Sequence, residues 1–241
     1  MSESVRLLKR LAEQLPCSRS EAEQYIVGGW VSVDGNVIEA PGFRVQPQQA
    51  VELSANASLV PLAPVTILLH KPAGLDAATD AAAALELIAE ENKLADDRSG
   101  IRFLQRHRLG LNLAIPLEAT ASGLLVLTQD WHVSRKLVED AAKVETEYVV
   151  EVAGNLVPDG LAGLNSGLSY KGSRPASIKV SWQNETRLRF ALKGVQPGQI
   201  GYMCNKVGLE VLSMKCIRVG RVPMAALPLG QWRYLLGYER F

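Results

Sequence analysis

The 241-residue chain contains 47% hydrophobic and 21% charged residues, and its formal net charge is +1 at pH 7. This composition is typical of a globular protein with one sizeable core and a small extra domain, and it argues against disorder. The apolar runs fall far short of the roughly 18 residues of a spanning helix, and the charged N-terminus lacks the apolar region of a signal peptide. We therefore expect a cytoplasmic protein that does not contact membranes.

The cysteines and histidines do not have the spacing of a metal site. Cys17, Cys204 and Cys216 form no Cys-x-x-Cys pair, and the three histidines are widely separated. We therefore expect reduced thiols and no bound metal. Because the net charge is close to zero, a nucleic-acid site would have to come from local basic clusters rather than from the overall field.

The first fifty residues predict two helices on a small sheet. Residues 5–15 place their apolar side chains on one helical face. Ser18 and Glu21 have the spacing of a capping box at the start of a second helix. Asp34-Gly35 is typical of a tight hairpin turn, so short strands are expected on both sides of it.

Basic side chains cluster where these two helices begin. Such an edge could contact phosphates, although neighbouring glutamates offset much of its charge and a solvated helix face is the alternative. The candidate RNA-contacting residues of this segment are Arg6, Lys9, Arg10, Ser18 and Arg19.

The same segment resembles the RNA-binding domain first described in ribosomal protein S4. The resemblance is carried by Arg6-Leu-Leu-Lys, by Cys17-Ser-Arg-Ser-Glu-Ala and by Gly28-Gly-Trp-Val-Ser-Val-Asp-Gly. It implies an S4-like domain at 1–53, and the small, Ala-rich stretch at 54–64 with its two prolines predicts a linker. One departure is Ser20, where such domains usually carry a second arginine.

Residues 65–241 predict a larger α+β domain. Strand-like runs outnumber helical ones, which favours a mixed sheet with flanking helices over a doubly wound fold. Strands are expected at 65–69, 124–127, 148–154, 176–182, 187–192 and 214–219, and helices at about 79–91, after Asp130, and at about 199–207.

A basic segment with interleaved apolar residues lies at 98–108. It holds four arginines and His107, a composition that fits contact with phosphates and stacked bases. The alternative is an exposed loop that only aids solubility. The candidate RNA contacts here are Arg102, Arg106 and Arg108.

Glu118 lies on a short turn before the apolar run 124–127. A carboxylate presented by a loop against a buried strand is well placed for chemistry, because the strand fixes its position and the loop leaves it accessible. The alternative is an ordinary solvated or hydrogen-bonded glutamate.

Several further motifs occur in a fixed order behind the S4-like segment, and together they resemble bacterial ribosomal RNA pseudouridine synthases. The chain resembles the type that acts on the small ribosomal subunit and the B, E and F types that act on the large subunit. It resembles the F type most. The resemblance implies an S4-like αα-β domain followed by a larger mixed, mainly antiparallel sheet domain with flanking helices. The motifs are His70-Lys-Pro-Ala-Gly, Leu117-Glu-x-x-x-x-Gly-Leu-Leu-Val-Leu-Thr, Glu145-Thr-Glu-Tyr, Gln199-Ile with Met203, and Pro228-Leu-Gly-Gln-Trp-Arg.

The resemblance also implies a reaction. A uridine is flipped out of the RNA, its bond from base nitrogen to sugar is broken, and the base rotates and is rejoined through carbon 5. Neither a cofactor nor a metal takes part. Family members use an aspartate nucleophile, an aromatic side chain that stacks on the base, and a basic residue that pairs with the aspartate. Flipping costs a few kcal/mol, which a shaped pocket must recover.

Carried over to this chain, the aspartate position falls on Glu118 and the stacking position on Tyr148. Ile200 is retained, whereas the arginine that follows it becomes Gly201. Lys71, in the His-Lys-Pro motif, is a further candidate for RNA contact. Four further side chains that are typical of the family motifs are also replaced. The residues at these positions in this chain are Pro116, Ala121, Thr146 and Tyr202.

These changes predict a weakened catalytic site. The longer glutamate displaces its oxygens by over an ångström, an error that can cost about a hundredfold in rate. A partly desolvated carboxylate without a cation tends to become protonated, and a protonated acid is a poor nucleophile. We therefore predict a monomeric protein that binds RNA, in particular ribosomal RNA, with little or no isomerase activity.

Two alternatives stay open at this stage. The first is a working synthase that uses Glu118, with a substitute cation from Arg102, Arg106 or Arg108. The second is a protein-interaction scaffold that no longer binds RNA, for which the near-zero net charge is the main argument.

Overall fold

The computed structural model describes residues 4–77, 79–172 and 174–241, and the chain divides into two compact units. The first unit consists of the chain up to Ala63 together with Arg102–Leu109, and the second consists of Pro64–Ile101 together with Gly110–Phe241. Three of the four arginines of the segment 98–108 therefore belong to the first unit, and Arg98 belongs to the second. The sequence had assigned the whole segment to the larger domain because it follows the linker in chain order.

The first unit is an αα-β arrangement with its own small core. Strands β3, β2 and β5 form one sheet in that order, and β1 pairs with β4. Leu7 and Leu11 of the first helix pack with Ala22 and Ile26 of the second. The elements are β1 (Val5–Arg6), α1 (Leu7–Gln14), α2 (Arg19–Val27), β2 (Val31–Val33), β3 (Asn36–Val37), β4 (Arg44–Val45) and β5 (Val51–Leu53).

Two local predictions for this unit are confirmed. The Ser18 hydroxyl accepts the backbone N–H of Glu21 at 3.2 Å, and the Glu21 carboxylate accepts the N–H of Ser18 at 2.7 Å, which is a complete capping box. Asp34 and Gly35 both have positive φ, 50° and 80°, as a hairpin turn that matches the twist of its strands requires.

The second unit contains a large sheet with helices beside it. The strands are β6 (Thr66–Lys71), β7 (Asn112–Leu113), β8 (Ala121–Thr128), β9 (Glu145–Gly154), β10 (Ser177–Trp182), β11 (Arg187–Lys193), β12 (Leu209–Val219), β13 (Val222–Pro223) and β14 (Trp232–Tyr234). The helices are α3 (Ala81–Glu86), α4 (Trp131–Val138), α5 (Gly160–Asn165) and α6 (Gln199–Lys206).

Within the described residues, this sheet has nine strands in the order β10-β11-β9-β12-β8-β6-β14, with β13 beside β12 and β7 beside β8. The β8–β12 pair is parallel, and the other pairs are antiparallel. The predicted α+β fold with a mixed, mainly antiparallel sheet is therefore confirmed. Both β6 and most of β8 are buried, so this pair runs through the core.

The helices of this unit differ in detail from the sequence predictions. The helix expected at about 79–91 is limited to α3, and a short 3-10 turn follows at Glu90–Asn92. Asp130 caps α4 as predicted, with its carboxylate accepting the N–H of His132. In α4, Leu137 is buried and Val138 is exposed, since adjacent helical positions point about 100° apart. Helix α5 was not predicted.

None of the helices in the described part of the chain is long and apolar enough to cross a membrane.

Candidate active site

Glu118 lies on the turn between β7 and β8, and backbone hydrogen bonds fix this turn. The N–H of Ala121 donates to the carbonyl of Glu118 at 3.0 Å, which closes the turn. The N–H of Gly74 donates to the carbonyl of Ala119 at 2.7 Å and ties the turn to the segment after β6. The two stretches that carry the His-Lys-Pro and Leu-Glu motifs are therefore adjacent.

The buried side chain of Lys71 also connects the Glu118 turn to the segment after β6. Its side chain is fully buried, and its Nζ donates to the carbonyls of Pro72 at 3.0 Å, Leu75 at 2.7 Å and Ala119 at 3.3 Å. Burial lowers the pKa of Lys71, and the nearby carboxylates of Asp76 and Glu118 partly offset that effect. The prediction that Lys71 contacts RNA is wrong for this structure, because a buried ammonium held by three carbonyls does not reach a phosphate.

The half-buried carboxylate of Glu118 is bound by the start of a helix. Its Oε1 accepts the N–H of Gly198, the residue before α6, at 3.1 Å, and its Oε2 accepts the hydroxyl of Thr120 at 3.4 Å. Helix N-termini carry partial positive charge that favours an anion there. In the part of the chain that the structure describes, no lysine or arginine forms an ion pair with Glu118.

Gly201 occupies the third position of α6, one turn after Gly198. A Cβ placed on Gly201 would have no heavy atom within 4 Å, so there is space for a side chain. Because helical side chains tilt towards the N-terminus, an arginine at this position would lean towards the end of α6 that binds Glu118. Ile200, the retained neighbour, is 1% exposed and packs in the core, so it supports the helix rather than facing a ligand.

Three strands place Tyr148 beside this site. Tyr148 on β9 pairs with Cys216 on β12, and Cys216 pairs in turn with Gly123 on β8. Gly123 has φ of 114°, and a Cβ there would lie 2.2 Å from the carbonyl oxygen of Cys216. Glycine is therefore required where β8 and β12 approach each other, immediately after the turn that carries Glu118.

Tyr148 is deeply buried, with 3% of its surface exposed. Burial raises the pKa of its phenol well above the usual value, and the neighbouring groups Cys216 and Glu118 add to the rise. Glu118 is thus close enough to Tyr148 to influence its pKa. In this conformation Tyr148 offers little ring face to a base, and the stacking of a base there stays a prediction.

The other substituted positions hold neutral side chains. Thr146 is buried, and its hydroxyl donates to the carbonyl of Leu192 at 3.2 Å. Tyr202 on α6 is 37% exposed and forms an aromatic pair with Tyr170, with ring centroids 5.2 Å apart.

Tyr170 was not singled out in the sequence. A Cβ on Gly198 would lie 2.7 Å from its hydroxyl oxygen, so Tyr170 borders the residue that binds Glu118. Lys171 and Lys206 lie over the rings of Tyr170 and Tyr202 at 5.1 and 5.4 Å. An aromatic pair flanked by two lysines therefore lies beside α6, and no motif spacing in the sequence could have predicted it.

The predicted RNA-contacting residues of the first unit are mostly on its surface. Arg6, Lys9, Ser18 and Arg19 are exposed, and Arg10 is half-buried. Lys9 forms a loose surface ion pair with Glu13, and the Ser18 hydroxyl belongs to the capping box. Neither interaction removes these residues from solvent, so the basic edge is accessible.

Arg102 has a structural role in the first unit. Its Nη2 donates to the carbonyls of Gly28 and Gly29 at 2.8 and 2.6 Å, and its guanidinium lies 5.0 Å from the centre of the Trp30 ring. The hypothesis that Arg102 replaces the missing partner of Glu118 is therefore not supported. Arg106 and Arg108 are half-buried and belong to the same unit.

No cluster of three or more potential metal ligands occurs among the described residues. The buried thiols of Cys204 and Cys216 have their pKa raised to about 12 by burial, so neither is a thiolate near neutral pH.

Comparison with known proteins gives three consistent findings. The S4 domain family model matches residues 5–51. The dual-specificity RNA pseudouridine synthase RluF of Escherichia coli K12 is 26% identical over 248 residues, covering 98% of this chain and 77% of that one. The ribosomal small subunit pseudouridine synthase A of Vibrio cholerae is 27% identical over 243 residues, covering 98% and 97%.

A solved structure shares the fold. The crystal structure of a pseudouridylate synthase superposes with a TM-score of 0.59 and 19% identity over 96% of both chains. The mixed sheet, with its acidic turn beside a buried tyrosine, is thus a pseudouridine synthase fold. The chain thus combines an N-terminal S4 domain with a pseudouridine synthase fold, and it is similar over nearly its whole length to RNA pseudouridine synthases.

Proposed function

We propose that this protein binds ribosomal RNA and that its capacity to isomerise uridine is weak or lost. The first part rests on the family, since its relatives are named as RNA or ribosomal small subunit pseudouridine synthases. The second part rests on one observation. Glu118 is bound by the N–H of Gly198 and forms no ion pair within the described residues.

The geometry at Glu118 supports a slow or absent reaction. A nucleophilic carboxylate must present an oxygen to the sugar or base while a cation keeps it ionised and oriented. Here one oxygen accepts a backbone N–H, and the longer side chain shifts both oxygens relative to an aspartate. The start of α6 replaces the missing arginine in part, because its partial positive charge attracts the carboxylate, and the buried ammonium of Lys71 is close enough to interact with Glu118. A helix terminus does not move with the substrate, however, as a flexible arginine can.

The burial of Tyr148 supports the same conclusion. With 3% of its surface exposed, this ring does not offer a face to a flipped base. The exposed Tyr202 with Tyr170 offers an alternative aromatic surface, and both rings are flanked by lysines. Aromatic rings beside cations are a common way to hold unpaired bases. This arrangement favours binding of RNA without presenting a base to Glu118 in the family's manner.

The accessible basic edge of the first unit supports RNA binding independently. Arg6, Lys9 and Arg19 are exposed near the starts of α1 and α2, within the segment that matches the S4 domain. Phosphate contacts from such residues give affinity without sequence preference. Which RNA is bound would then depend on the second unit.

The proposal is tested by measuring binding and turnover on the same RNA. Unmodified ribosomal RNA is incubated with the full chain and with Glu118→Ala, and pseudouridine is mapped by carbodiimide primer extension. We expect salt-sensitive binding by both proteins and little or no new pseudouridine from either.

Two other outcomes correspond to the alternative functions. A modified uridine that disappears in Glu118→Ala would make this protein a working synthase with a glutamate nucleophile. Binding that is absent at low salt would support a protein-interaction scaffold, because phosphate contacts are strongest there.

A further inference from the structure

A basic cleft lies on the second unit, at the opposite end of β8 from Glu118. Its volume is about 760 Å³. Helix α4, which follows β8, forms one wall, and the residues around the end of β12 form another. Neither Glu118 nor Tyr148 lines it. The lining residues with charged or ionisable side chains are His132, Arg135, Lys136, Asp140, Lys143, Glu145, Lys193, Arg218 and Arg221.

Positive charge predominates in this cleft. Six of its side chains are lysine or arginine and two are carboxylates. Both carboxylates are already paired, Asp140 with Lys143 at 2.7 Å and Glu145 with Arg218. Within the described residues, Lys136, Lys193 and Arg221 form no ion pair. Three cationic side chains that line a concave surface and lie outside these ion pairs favour a ligand with several negative charges.

Buried ion pairs hold one wall of the cleft in place. Glu147 is 4% exposed and accepts hydrogen bonds from the guanidinium groups of Arg218, at 2.7 Å, and Arg189. Arg218 also bonds to Glu145 and to the carbonyl of Gly220. Arg218 is thus fixed by structural contacts, which leaves ligand binding to its neighbours Lys136, Lys193 and Arg221.

An exposed aromatic side chain lies at the edge of the cleft. Trp131 is 58% exposed, which is unusual for so large an apolar residue. It stacks on His132 with ring centroids 4.8 Å apart, and the guanidinium of Arg135 lies 5.3 Å from its centre. His132 and Arg135 both line the cleft, so the indole ring and the cations form one continuous surface.

We propose that this cleft binds a single-stranded segment of RNA, with phosphates on Lys136, Lys193 and Arg221 and an unpaired base on Trp131. An indole can also be covered by a protein partner, but a single RNA strand matches both features of the cleft, with phosphates for the cations and unpaired bases that stack on the ring. The inference rests on the proposed binding of RNA by this protein but not on any chemistry at Glu118. The cleft is a second binding site, on a different unit from the S4 domain.

The first test compares matched pairs of charge changes in the full chain. Binding of a short unstructured oligouridine RNA is measured at several salt concentrations for Lys136→Ala/Arg221→Ala and for the control Lys179→Ala/Arg187→Ala. Both control residues are exposed and lie outside the cleft. The salt slope should fall by about 0.7 for each phosphate that is no longer neutralised, hence by about 1.4 in the cleft variant, and stay unchanged in the control.

The second test addresses the aromatic contact. Trp131→Ala should weaken binding of the single strand about tenfold, and it should affect a duplex of equal length much less, because paired bases cannot stack on the ring. Trp182→Ala is the matched control, since Trp182 is also exposed, at 38%, but lies on β10 away from the cleft. Oligouridine that carries 4-thiouridine should crosslink to residues of α4 or to the segment around Arg221.

Equal effects of the cleft and control variants, without crosslinks in these segments, would overturn the cleft proposal. If the wild-type chain still bound RNA in that case, the proposed function would stand and only the second site would fail. Binding of polyglutamate at the cleft, with no binding of oligouridine, would also overturn it, in favour of an acidic protein partner. Loss of all RNA binding at low salt in the wild-type chain would contradict both proposals.

Discussion

The two units of this protein differ in the kind of internal contact that defines them. In the first unit, the contacts that define helix and turn join residues close in the chain, such as Ser18 with Glu21 and the pair Asp34-Gly35. In the second, the site depends on contacts between distant segments, such as the hydrogen bond from Gly198 to Glu118. The sheet beneath the site does not depend on the charged side chains at the site. The fold can therefore persist when those side chains are substituted.

If the second unit depends on the close approach of β8 and β12, Gly123→Ala should lower its stability more than any other substitution considered below. Its new Cβ would lie 2.2 Å from the carbonyl oxygen of Cys216, and φ of 114° is strained for alanine. We expect the free energy of unfolding to fall by about 3 kcal/mol or more, measured by urea denaturation. Gly74→Ala is the control, because Gly74 has φ of 91° but no atom within 4 Å of a Cβ. Equal losses of unfolding free energy in the two variants would show that backbone strain alone, and not the close approach of β8 and β12, explains why Gly123 is needed.

A smaller loss is expected from Lys71→Met. Three carbonyl oxygens would lose their donor, although the variant no longer has to bury an ammonium group. These opposing effects leave a destabilisation of about 2 kcal/mol. Lys206→Met, at an exposed position, should change stability by less than about 0.5 kcal/mol. Faster amide exchange at Gly74 in the Lys71 variant would confirm that the junction with the Glu118 turn has loosened, and unchanged exchange there would contradict that role.

The second unit should also lose stability in mild acid through His70. This ring is 4% exposed, its Nδ1 lies 2.7 Å from the carbonyl oxygen of Leu227, and burial lowers its pKa. Below pH 6.5 the unfolded chain binds a proton that the folded chain does not. Stability should therefore fall as the pH drops from 6.5 towards the folded pKa, by at most about 1.4 kcal/mol per pH unit.

The comparison of His70→Gln with His132→Gln measures that contribution. His132 is exposed on α4, and His132→Gln is the reference for replacing a histidine at the surface. His70→Gln should flatten the pH dependence. Unfolding is followed by denaturant titration between pH 5 and pH 7. A steep dependence that survives in His70→Gln would assign the effect to other groups.

The smallest effect is expected from a local contact of the first unit. Ser18→Ala removes the hydroxyl that accepts the N–H of Glu21 and should cost about 1 kcal/mol. Ser20→Ala is the matched control, because Ser20 is exposed within α2 and should be close to neutral. Thermal unfolding of both variants checks this difference. A loss as large as that of Gly123→Ala would contradict the contrast between the two units.

This contrast also explains which features could be predicted from the sequence. The capping box at Ser18, the hairpin turn at Asp34 and the cap at Asp130 all depend on residues within a few positions, and the structure confirms them. The motif order also singled out Glu118 and Tyr148, and their roles in a site stay a prediction.

Other features depend on which distant segments meet, and the sequence did not reveal them. The burial of Lys71 among three carbonyls depends on the turn at Ala119, 48 residues away. The binding of Glu118 by the start of α6 spans 80 residues. Arg102 contacts carbonyls more than 70 positions earlier in the chain, so its membership of the first unit was missed. Tyr170 lies in an irregular segment without a motif.

The central claim is that the fold is kept while acid and cation have changed together. It is tested most directly by restoring both. The wild-type chain, Glu118→Asp, Gly201→Arg and the double variant are each incubated with unmodified ribosomal RNA, and pseudouridine is mapped. Space at Gly201 permits the arginine.

We predict little or no pseudouridine from the wild-type chain and the most from the double variant, with each single variant lower. Robust turnover by the wild-type chain, reduced by Glu118→Asp and not increased by Gly201→Arg, would contradict the account and establish glutamate as the working nucleophile.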